Sequence, residues 1–291
     1  MRTRNAVMVA FTLPVFLLYI FFFIVVMFLG VYYSMTNWTG ISQTFDFIGL
    51  RNYATVLSDE RFWQAIWFNI RYAIMLDIGV ILISLLIALA LNNLKGKTST
   101  LFRSIFFIPA VLSLVTVGLI WNELFLRAFP PIGEALGIEW LSKSILGSPA
   151  TAIFGILIVN LWQGCATPTV LLLAGLQSVP SDLYEAATID GANAWQKFKN
   201  ITVPFLIPII TMLVITTTKG GLTIFDYIQA MTAGGPAQST EAIGILIYRH
   251  AMSEGKFAQS VAESMCLFVI VAIVSFLTIK ISSKKEVGDD T

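Results

Sequence analysis

The sequence contains little charge. Asp, Glu, Lys and Arg make up only 12% of its 291 residues, whereas 57% are hydrophobic. Soluble domains have about 25% charged residues and about 45–50% apolar ones. A surface that faces water needs more charge than this, so we expect lipid to surround most of the chain. The formal net charge of +1 excludes a strongly basic surface for nucleic acid.

Residues that bind metals are also scarce. The sequence has one histidine, His250, and two cysteines, Cys165 and Cys266. Both cysteines lie in apolar stretches, where we interpret them as small hydrophobic residues rather than as a disulfide pair. The sequence therefore predicts no metal site. His250 lies in a segment between two apolar runs, where we expect it at the surface.

Long apolar runs are what the sequence does have. A membrane-spanning helix needs about 20 mostly apolar residues, because a core of about 30 Å is crossed at about 1.5 Å per residue. Six segments meet this test, near residues 7–33, 67–92, 102–125, 150–176, 205–229 and 258–281. Continuous apolarity of this length lacks the alternation of a barrel wall. The sequence therefore predicts an all-α polytopic membrane protein, with a single domain over residues 1–291.

The distribution of Lys and Arg predicts the orientation. An even number of spans places both termini on one side, and short cytoplasmic loops carry an excess of positive residues. Such residues cluster at one membrane edge: Arg2, Arg4, Lys95, Lys97, Arg103, Lys197, Lys199, Lys280, Lys284 and Lys285. We therefore expect both termini in the cytoplasm. The first span is longer than the core of a signal peptide, so we expect it to be retained.

One predicted cytoplasmic loop, residues 177–204, is polar but has the features of ordered structure. Asp190-Gly191 separates two short predicted helices. Ala186 and Ala187 leave a narrow surface that a groove of another protein could approach, and Glu185 could form a directed hydrogen bond or ion pair there. From the residues alone, a helix lying on lipid head groups is equally acceptable.

The order of residues in this loop resembles a family signature. Glu185-Ala186-Ala187 is followed by three residues, Gly191, nine residues and then Ile201-Thr202-Val203-Pro204. This resembles the EAA motif of ABC importer permeases, with Val203 where Leu is usual. In that family the loop is a coupling helix that inserts into a cleft of the ATP-binding subunit. The resemblance implies an ATPase-coupling role for Glu185, Ala186, Ala187, Asp190 and Gly191.

Motifs along the rest of the chain are similar to the carbohydrate-uptake branch of that family, which includes maltose and glycerol-phosphate permeases. They are residues 47–53 after the first span, Pro14 within it, Phe225-Asp226 with Gly234-Gly235-Pro236, and Thr240-Glu241 with Tyr248-Arg249. The resemblance implies a type I importer transmembrane domain that translocates a mono- or oligosaccharide, a sugar acid or a sugar phosphate. It also implies that Gly234, Gly235 and Pro236 face a binding protein.

The chain contains no energy source of its own. Gly96-Lys97-Thr98 is similar to the end of a Walker A loop, but Leu91 stands where that motif has Gly and no strand precedes it. Intramembrane carboxylates, as in proton-coupled carriers, are limited to Asp77 and Glu123. We therefore expect a transport subunit without enzymatic activity and without a bound cofactor. ATP and Mg would be used by partner subunits.

The resemblance implies several partners. They are a second, homologous permease, two ATP-binding cassette subunits, an extracellular solute-binding protein and the carbohydrate, in the cytoplasmic membrane of a prokaryote. The alternative is a secondary carrier or channel for a small polar solute, which leaves the ordered loop unexplained. A membrane transferase would need clustered His, Asp or Glu. An exporter usually fuses its spans to the nucleotide-binding domain and lacks this loop.

The fifth span carries the densest polar cluster, residues 216–223. Polar groups within spans usually face a bundle interior or a wet cavity, although packing of small residues against a neighbouring helix explains them equally well. Maltose-type permeases bind sugar on this span. An ungapped alignment implies sugar contacts at Thr217, Gly220, Gly221 and Ile224, with Asn160, Gln163 and Gly164 on the fourth span.

Lys219 stands where this branch usually has an apolar residue. An unpaired ammonium within a membrane costs about 2.5–3.5 kcal/mol on insertion scales. We assign Lys219 to the substrate pathway and expect it to form an ion pair with Asp77 or Glu123, in preference to contact with an anionic substrate.

Overall fold

The computed structural model describes residues 2–94 and 96–283. Helices make up nearly all of the regular structure in this part of the chain. The other element is an isolated bridge between Thr36 and Phe47. This confirms the predicted all-α class. The α-helices are α1 Arg2–Tyr19, α2 Val26–Ser34, α3 Arg51–Ser58, α4 Glu60–Asn92, α5 Gly96–Phe107, α6 Leu114–Glu123, α7 Phe129–Leu136, α8 Ala152–Gly164, α9 Ala166–Ser178, α10 Ser181–Ile189, α11 Ala194–Lys197, α12 Val203–Leu222, α13 Asp226–Met231, α14 Ile243–Met252 and α15 Phe257–Ser283.

Four helical stretches are long and apolar enough to cross a membrane. They are Phe11–Ser34, Glu60–Asn92, Ala194–Leu222 and Phe257–Lys280. Two bent helix pairs raise the number to as many as six, if each pair is one span: Gly96–Val111 with Leu114–Leu136, and Ala152–Gly164 with Ala166–Ser178. All six segments predicted from the sequence overlap one of these stretches or pairs.

The third predicted span, near residues 102–125, is not one continuous helix. Its two helical parts, Gly96–Val111 and Leu114–Leu136, meet at an angle of 95°. Pro109 lies in a short 3-10 turn, and Leu112 and Ser113 are extended. Proline lacks the N–H that continues a helix, and the chain turns before α6 begins.

The fifth predicted span, near residues 205–229, also differs from the structure. Its helix ends at Leu222, and residues Asp226–Met231 form the separate helix α13. On the other side, π-helical turns at Phe198–Thr202 join α11 to α12, so the helical stretch begins at Ala194. The polar cluster therefore occupies the last turns of a span rather than its middle.

The chain divides into two compact units. One contains residues up to 64 together with 246–270, and the other contains residues 65–245 together with those from 271 onwards. The single domain over residues 1–291 stays a prediction. In the first unit, the Asn52 amide donates to the carbonyls of Ser34 and Thr36 at 2.8 and 2.7 Å, which closes the segment after α2. Trp38 packs edge-on against Phe257 there.

The second unit has a well-packed interior. One cluster surrounds Tyr72 and Ile156, which are fully buried, and a second cluster surrounds Leu172 and Leu206. Apolar side chains on the outer faces of the spans remain exposed, for example Phe21 at 63% in the first span. Such surfaces are stable against lipid or against another subunit.

Candidate functional site

A cavity of about 440 Å³ lies inside the second unit. It is bounded by α4, α8, α12, α13 and the segment before α6. Six of the residues that the sequence assigned to the substrate pathway line it: Asn160, Gln163, Gly164, Thr217, Gly220 and Ile224. Lys219 and Gly221, which were assigned to the same pathway, are not among the lining residues. The fourth and fifth spans thus meet around one cavity.

Asn160 offers hydrogen-bonding capacity to this cavity. Its Nδ2 donates to the hydroxyl of Tyr72 at 2.8 Å, and Tyr72 is fully buried on α4. This contact fixes the orientation of the amide and uses one of its two N–H groups. The carbonyl oxygen and the second N–H remain available to a solute. The Cβ of any residue larger than glycine at 164 would come within 3.2 Å of Asn160 Oδ1, so Gly164 leaves room for this amide.

Gln163 has a different environment. Its Nε2 donates to the carbonyls of Pro109 and Leu112 at 3.0 and 2.8 Å, and its Oε1 accepts from the hydroxyl of Tyr227 at 2.8 Å. Both N–H groups of this buried amide therefore donate to backbone carbonyls at the break in the third span. The sequence indicated the residue but not this use, because its partners are remote in the chain.

Asp77 is held by two hydroxyl groups of the fifth span. Thr217 donates to Oδ1, and Thr218 donates to Oδ2 at 2.6 Å. Glu123 pairs with Arg127, whose Nε lies 2.9 Å from Oε2. Hence the ion pair predicted for Lys219 is not formed with either acid. The Lys219 side chain is exposed and lies in the last turn of α12.

The two neighbouring glycines of the fifth span have different surroundings. An added Cβ at Gly221 would lie 2.6 Å from the Cα of Ala73, whereas one at Gly220 would meet nothing within 4 Å. Gly221 therefore allows α12 to pack closely on α4. Gly220 lines the cavity. The sequence left two explanations open for these glycines. Close helix packing explains Gly221, and room for a ligand explains Gly220.

Asn69 is a buried residue that the sequence analysis missed. Its Nδ2 donates to the carbonyl of Leu222 at 2.8 Å, and its Oδ1 accepts from the backbone N–H of Ile243 at 2.9 Å. The side chain thus forms hydrogen bonds with backbone groups at the end of α12 and at the start of α14. An Asn within the predicted second span was the available signal.

The coupling loop forms an exposed hook, α10 and α11 with the turn between them. Glu185, Ala186, Asp190 and Gly191 are exposed and Ala187 is half-buried. Ile189 is 87% exposed, an unusual position for a large apolar side chain in a polar loop. The hook therefore presents both an acid and an apolar surface.

Hydrogen bonds keep this hook in shape. Asn193 and Gln196 form a reciprocal capping box at the start of α11, with distances of 2.9 and 2.7 Å. Lys197 Nζ donates to the hydroxyl of Thr188 at 2.7 Å, which ties α11 to α10. Gly191 has φ of +77°, a conformation that side chains with Cβ disfavour. The loop is thus ordered by its own contacts.

The turn at residues 234–236 is less exposed than its assigned role suggested. Gly234 is buried, and Gly235 and Pro236 are half-buried. The buried hydroxyl of Thr240 donates to the carbonyl of Gly235 at 2.6 Å. The exposed tip is instead Ala237-Gln238. The assigned residues shape the turn, and the tip is what a partner would touch first.

His250 is not at the surface as the sequence led us to expect. It is 2% exposed, and its Nδ1 lies 2.6 Å from Oε1 of Glu263, a fully buried residue. Glu254 stands at the rim of this pair. Hydrogen bonds from Lys256 and Arg61 lower the pKa of the Glu254 carboxyl. Within residues 2–94 and 96–283, these acids and the histidine do not form a group that could hold a metal ion.

Comparison with known proteins gives consistent matches over the length of the chain. The family described as "Binding-protein-dependent transport system inner membrane component" matches residues 80–284. The chain is 45% identical to the multiple sugar-binding transport system permease protein MsmF of Streptococcus mutans, over 93% of each chain. It is 34% identical to the probable starch degradation products transport system permease protein AmyD of Thermoanaerobacterium thermosulfurigenes, over 89% of this chain and 88% of that one.

A solved structure shares the fold. It is that of a bacterial alginate ABC transporter in complex with an alginate pentasaccharide-bound periplasmic protein. One of its chains matches with a TM-score of 0.83 and 20% identity, over 98% of this chain and 96% of that one. The arrangement of bent and straight spans described above is therefore also found in a chain of that transporter.

Proposed function

Because the chain belongs to the family of binding-protein-dependent transport system inner membrane components, we propose that it is the permease subunit of an ATP-driven importer for a carbohydrate. It is a multi-pass protein of the cytoplasmic membrane of a prokaryote. The names of the sugar permeases that resemble it over most of their length support carbohydrate as the solute. The observation that carries the proposal is the cavity between the fourth and fifth spans.

The chemistry of the cavity suits a neutral sugar. Amide and hydroxyl groups from Asn160, Thr216 and Thr223 lie near the rings of Phe225 and Tyr227, and sugars combine hydroxyl edges with apolar C–H faces. Among the described lining residues, Asp226 carries the only charge. A carboxylate would repel an acidic sugar and accept hydrogen bonds from a neutral one. A neutral mono- or oligosaccharide therefore fits better than a sugar acid or phosphate.

The hook around Glu185 is the proposed contact with an ATP-binding subunit. Its exposed acid and the apolar side chain of Ile189 suit a cleft that contains a positive group and an apolar wall. Two ATP-binding cassette subunits, a second homologous permease and an extracellular solute-binding protein would complete the transporter. ATP and Mg would bind to the cassette subunits and not to this chain. The termini and the hook would lie on the cytoplasmic side, and the tip at Ala237-Gln238 would face the binding protein.

Transport would then follow alternating access. Closure of the ATP-binding subunits would move the two hooks together, rotate the spans and open the cavity outwards, and hydrolysis would reverse the motion. This chain would transmit force and form half of the pathway, without covalent chemistry.

The proposal is tested by ATP-dependent sugar uptake into proteoliposomes that contain the assembled transporter and its binding protein. Asn160→Ala removes the amide that faces the cavity, and we expect uptake to fall about tenfold, the value of one well-placed hydrogen bond. Asn93→Ala is the matched control, because the Asn93 amide bonds only to Leu89 of its own helix. Equal uptake by Asn160→Ala and wild type would contradict a role for this cavity.

A separate measurement tests the coupling role against a carrier without an ATPase. Glu185→Ala should abolish the stimulation of ATP hydrolysis by binding protein and sugar, whereas Glu139→Ala, an exposed acid outside the hook, should leave it unchanged. Uptake that persists without ATP and without an ATP-binding subunit would instead favour the secondary carrier.

A further inference from the structure

A second cavity, of about 360 Å³, lies between α5 and α9. Its lining includes Arg103, Ser104, Phe107, Val170, Leu173 and Gln177. We name this cavity the arginine groove. It is separate from the candidate substrate cavity, because none of the residues that line one lines the other. It also has no assigned role in the transport scheme above.

The polar side of the arginine groove is rich in donors. The Nε atom of Arg103 is buried and has no hydrogen-bond acceptor among the described residues. The hydroxyl of Ser99, one helical turn earlier, is likewise buried without a partner. No described carboxylate lines the groove. Arg103 is the one charged residue among the described residues that line the groove, so its polar side is positive and suits an anion.

The other side of the groove is apolar. Phe107, Val170 and Leu173 form it, and α5 and α9 pack against each other there. A free inorganic anion would gain nothing from such a wall, whereas an acyl chain would. A ligand that combines a phosphate with a hydrocarbon chain matches both sides of the groove.

The position of the groove along the spans fits the same kind of ligand. Arg103 lies two turns after the start of α5 at Gly96, and Gln177 lies in the last turn of α9, just before the hook. Both ends are thus at one membrane edge, where head groups are located. Basic pockets between membrane helices on the cytoplasmic side are typical sites for anionic lipid head groups.

We propose that the arginine groove binds the head group of an anionic phospholipid, with the Arg103 guanidinium on the phosphate and an acyl chain along Phe107. Assignment to the cytoplasmic leaflet rests on the orientation proposed above; the binding site itself does not. Because α9 leads directly into the hook, a bound lipid would stabilise the helix that positions the hook.

Native mass spectrometry of the delipidated full-length chain, titrated with phosphatidylglycerol, tests the proposal. Arg103→Gln should weaken the binding of the first phosphatidylglycerol molecule about fivefold. This is the affinity that one cation near a lipid head group contributes. The same variant should leave phosphatidylcholine binding unchanged. Lys199→Gln is the matched control, because it removes the same charge from an exposed position at the same membrane edge and should change neither.

Two further arms complete the experiment. Ala174 also lines the groove. Ala174→Phe fills the groove while Arg103 remains charged, so phosphatidylglycerol binding should also fall, and this variant gives the answer if Arg103→Gln does not fold. An excess of inorganic phosphate should not displace the lipid. Unchanged binding in both groove variants, an equal loss in Lys199→Gln, or displacement by inorganic phosphate would each overturn the proposal. These results do not depend on sugar uptake.

Discussion

The hydroxyl of Thr218 donates a hydrogen bond to the Oδ2 atom of Asp77, 2.6 Å away and 141 residues earlier in the chain. Thr217 donates to the other oxygen of the same carboxylate. The two threonines thus bind α12 to α4 through one acid, beside the place where Gly221 approaches Ala73. The second and fifth spans are joined by a polar clamp and a close backbone contact.

Asp77→Ala should destabilise the protein by several kcal/mol, because each hydrogen bond to a charged group contributes about 1.5–3 kcal/mol. Asp77→Asn keeps one acceptor oxygen and should lose about half as much. The measurement is thermal unfolding in detergent, with the exposed Asp182→Ala as the control. If Asp77→Ala unfolds like Asp182→Ala, the clamp does not stabilise the spans.

Lys219→Met should leave stability nearly unchanged, within about 0.5 kcal/mol, because the side chain is exposed and makes no ion pair with Asp77 or Glu123. Uptake of a neutral sugar should also be retained. Thermal unfolding and uptake assays check this. A loss as large as that of Asp77→Ala would instead support the ion pair expected from the sequence.

Gly221→Ala and Gly220→Ala form a matched pair of adjacent substitutions. At Gly221 the new methyl group would overlap Ala73, and overpacking of this kind costs about 1–3 kcal/mol. At Gly220 the methyl group has open space, and alanine favours a helix by about 0.5–1 kcal/mol. Unfolding temperature should fall for the first variant only.

Sugar uptake should be reduced in Gly220→Ala even though its unfolding temperature does not fall. Gly220→Ala narrows the candidate cavity and should reduce uptake without loss of folded protein. Normal uptake by a stable Gly220→Ala variant would place the solute elsewhere.

His250→Ala should be among the most destabilising changes in the first unit. It leaves the buried carboxyl group of Glu263 without its histidine hydrogen-bond partner, and a buried polar group that loses its partner costs about 1–3 kcal/mol. The double variant His250→Ala with Glu263→Leu should recover part of that loss, because the buried group that lost its partner is then removed. Additive losses in this double-mutant cycle would show that the two side chains do not interact.

The sequence predicted those features that depend on local composition. Six apolar runs were recognisable because the length and apolar composition of a candidate span are local properties of the sequence. The hook was recognisable because Asp190-Gly191 separates its two short helices within a few residues. The same is true of the polar cluster on the fifth span.

Features that depend on remote partners could not be read in this way. The partners of Asp77 are Thr217 and Thr218 rather than Lys219, and only the folded chain brings these residues together. The exposure of Lys219 and the burial of His250 have the same origin, since both depend on which face of a helix meets a neighbour. Short-range sequence patterns do not show which face of a helix will contact a neighbouring helix.

The break in the third span has a consequence for genetics. Gln163 acts there as a substitute for a missing helical partner, because its amide donates to the Leu112 carbonyl and also to the Pro109 carbonyl, which accepts from the backbone N–H of Leu112 as well. Alleles at codon 163 should therefore be recovered in any screen for loss of transport, yet most would fail at biogenesis. Their phenotype would say nothing about sugar recognition unless the amount of mature protein were measured alongside.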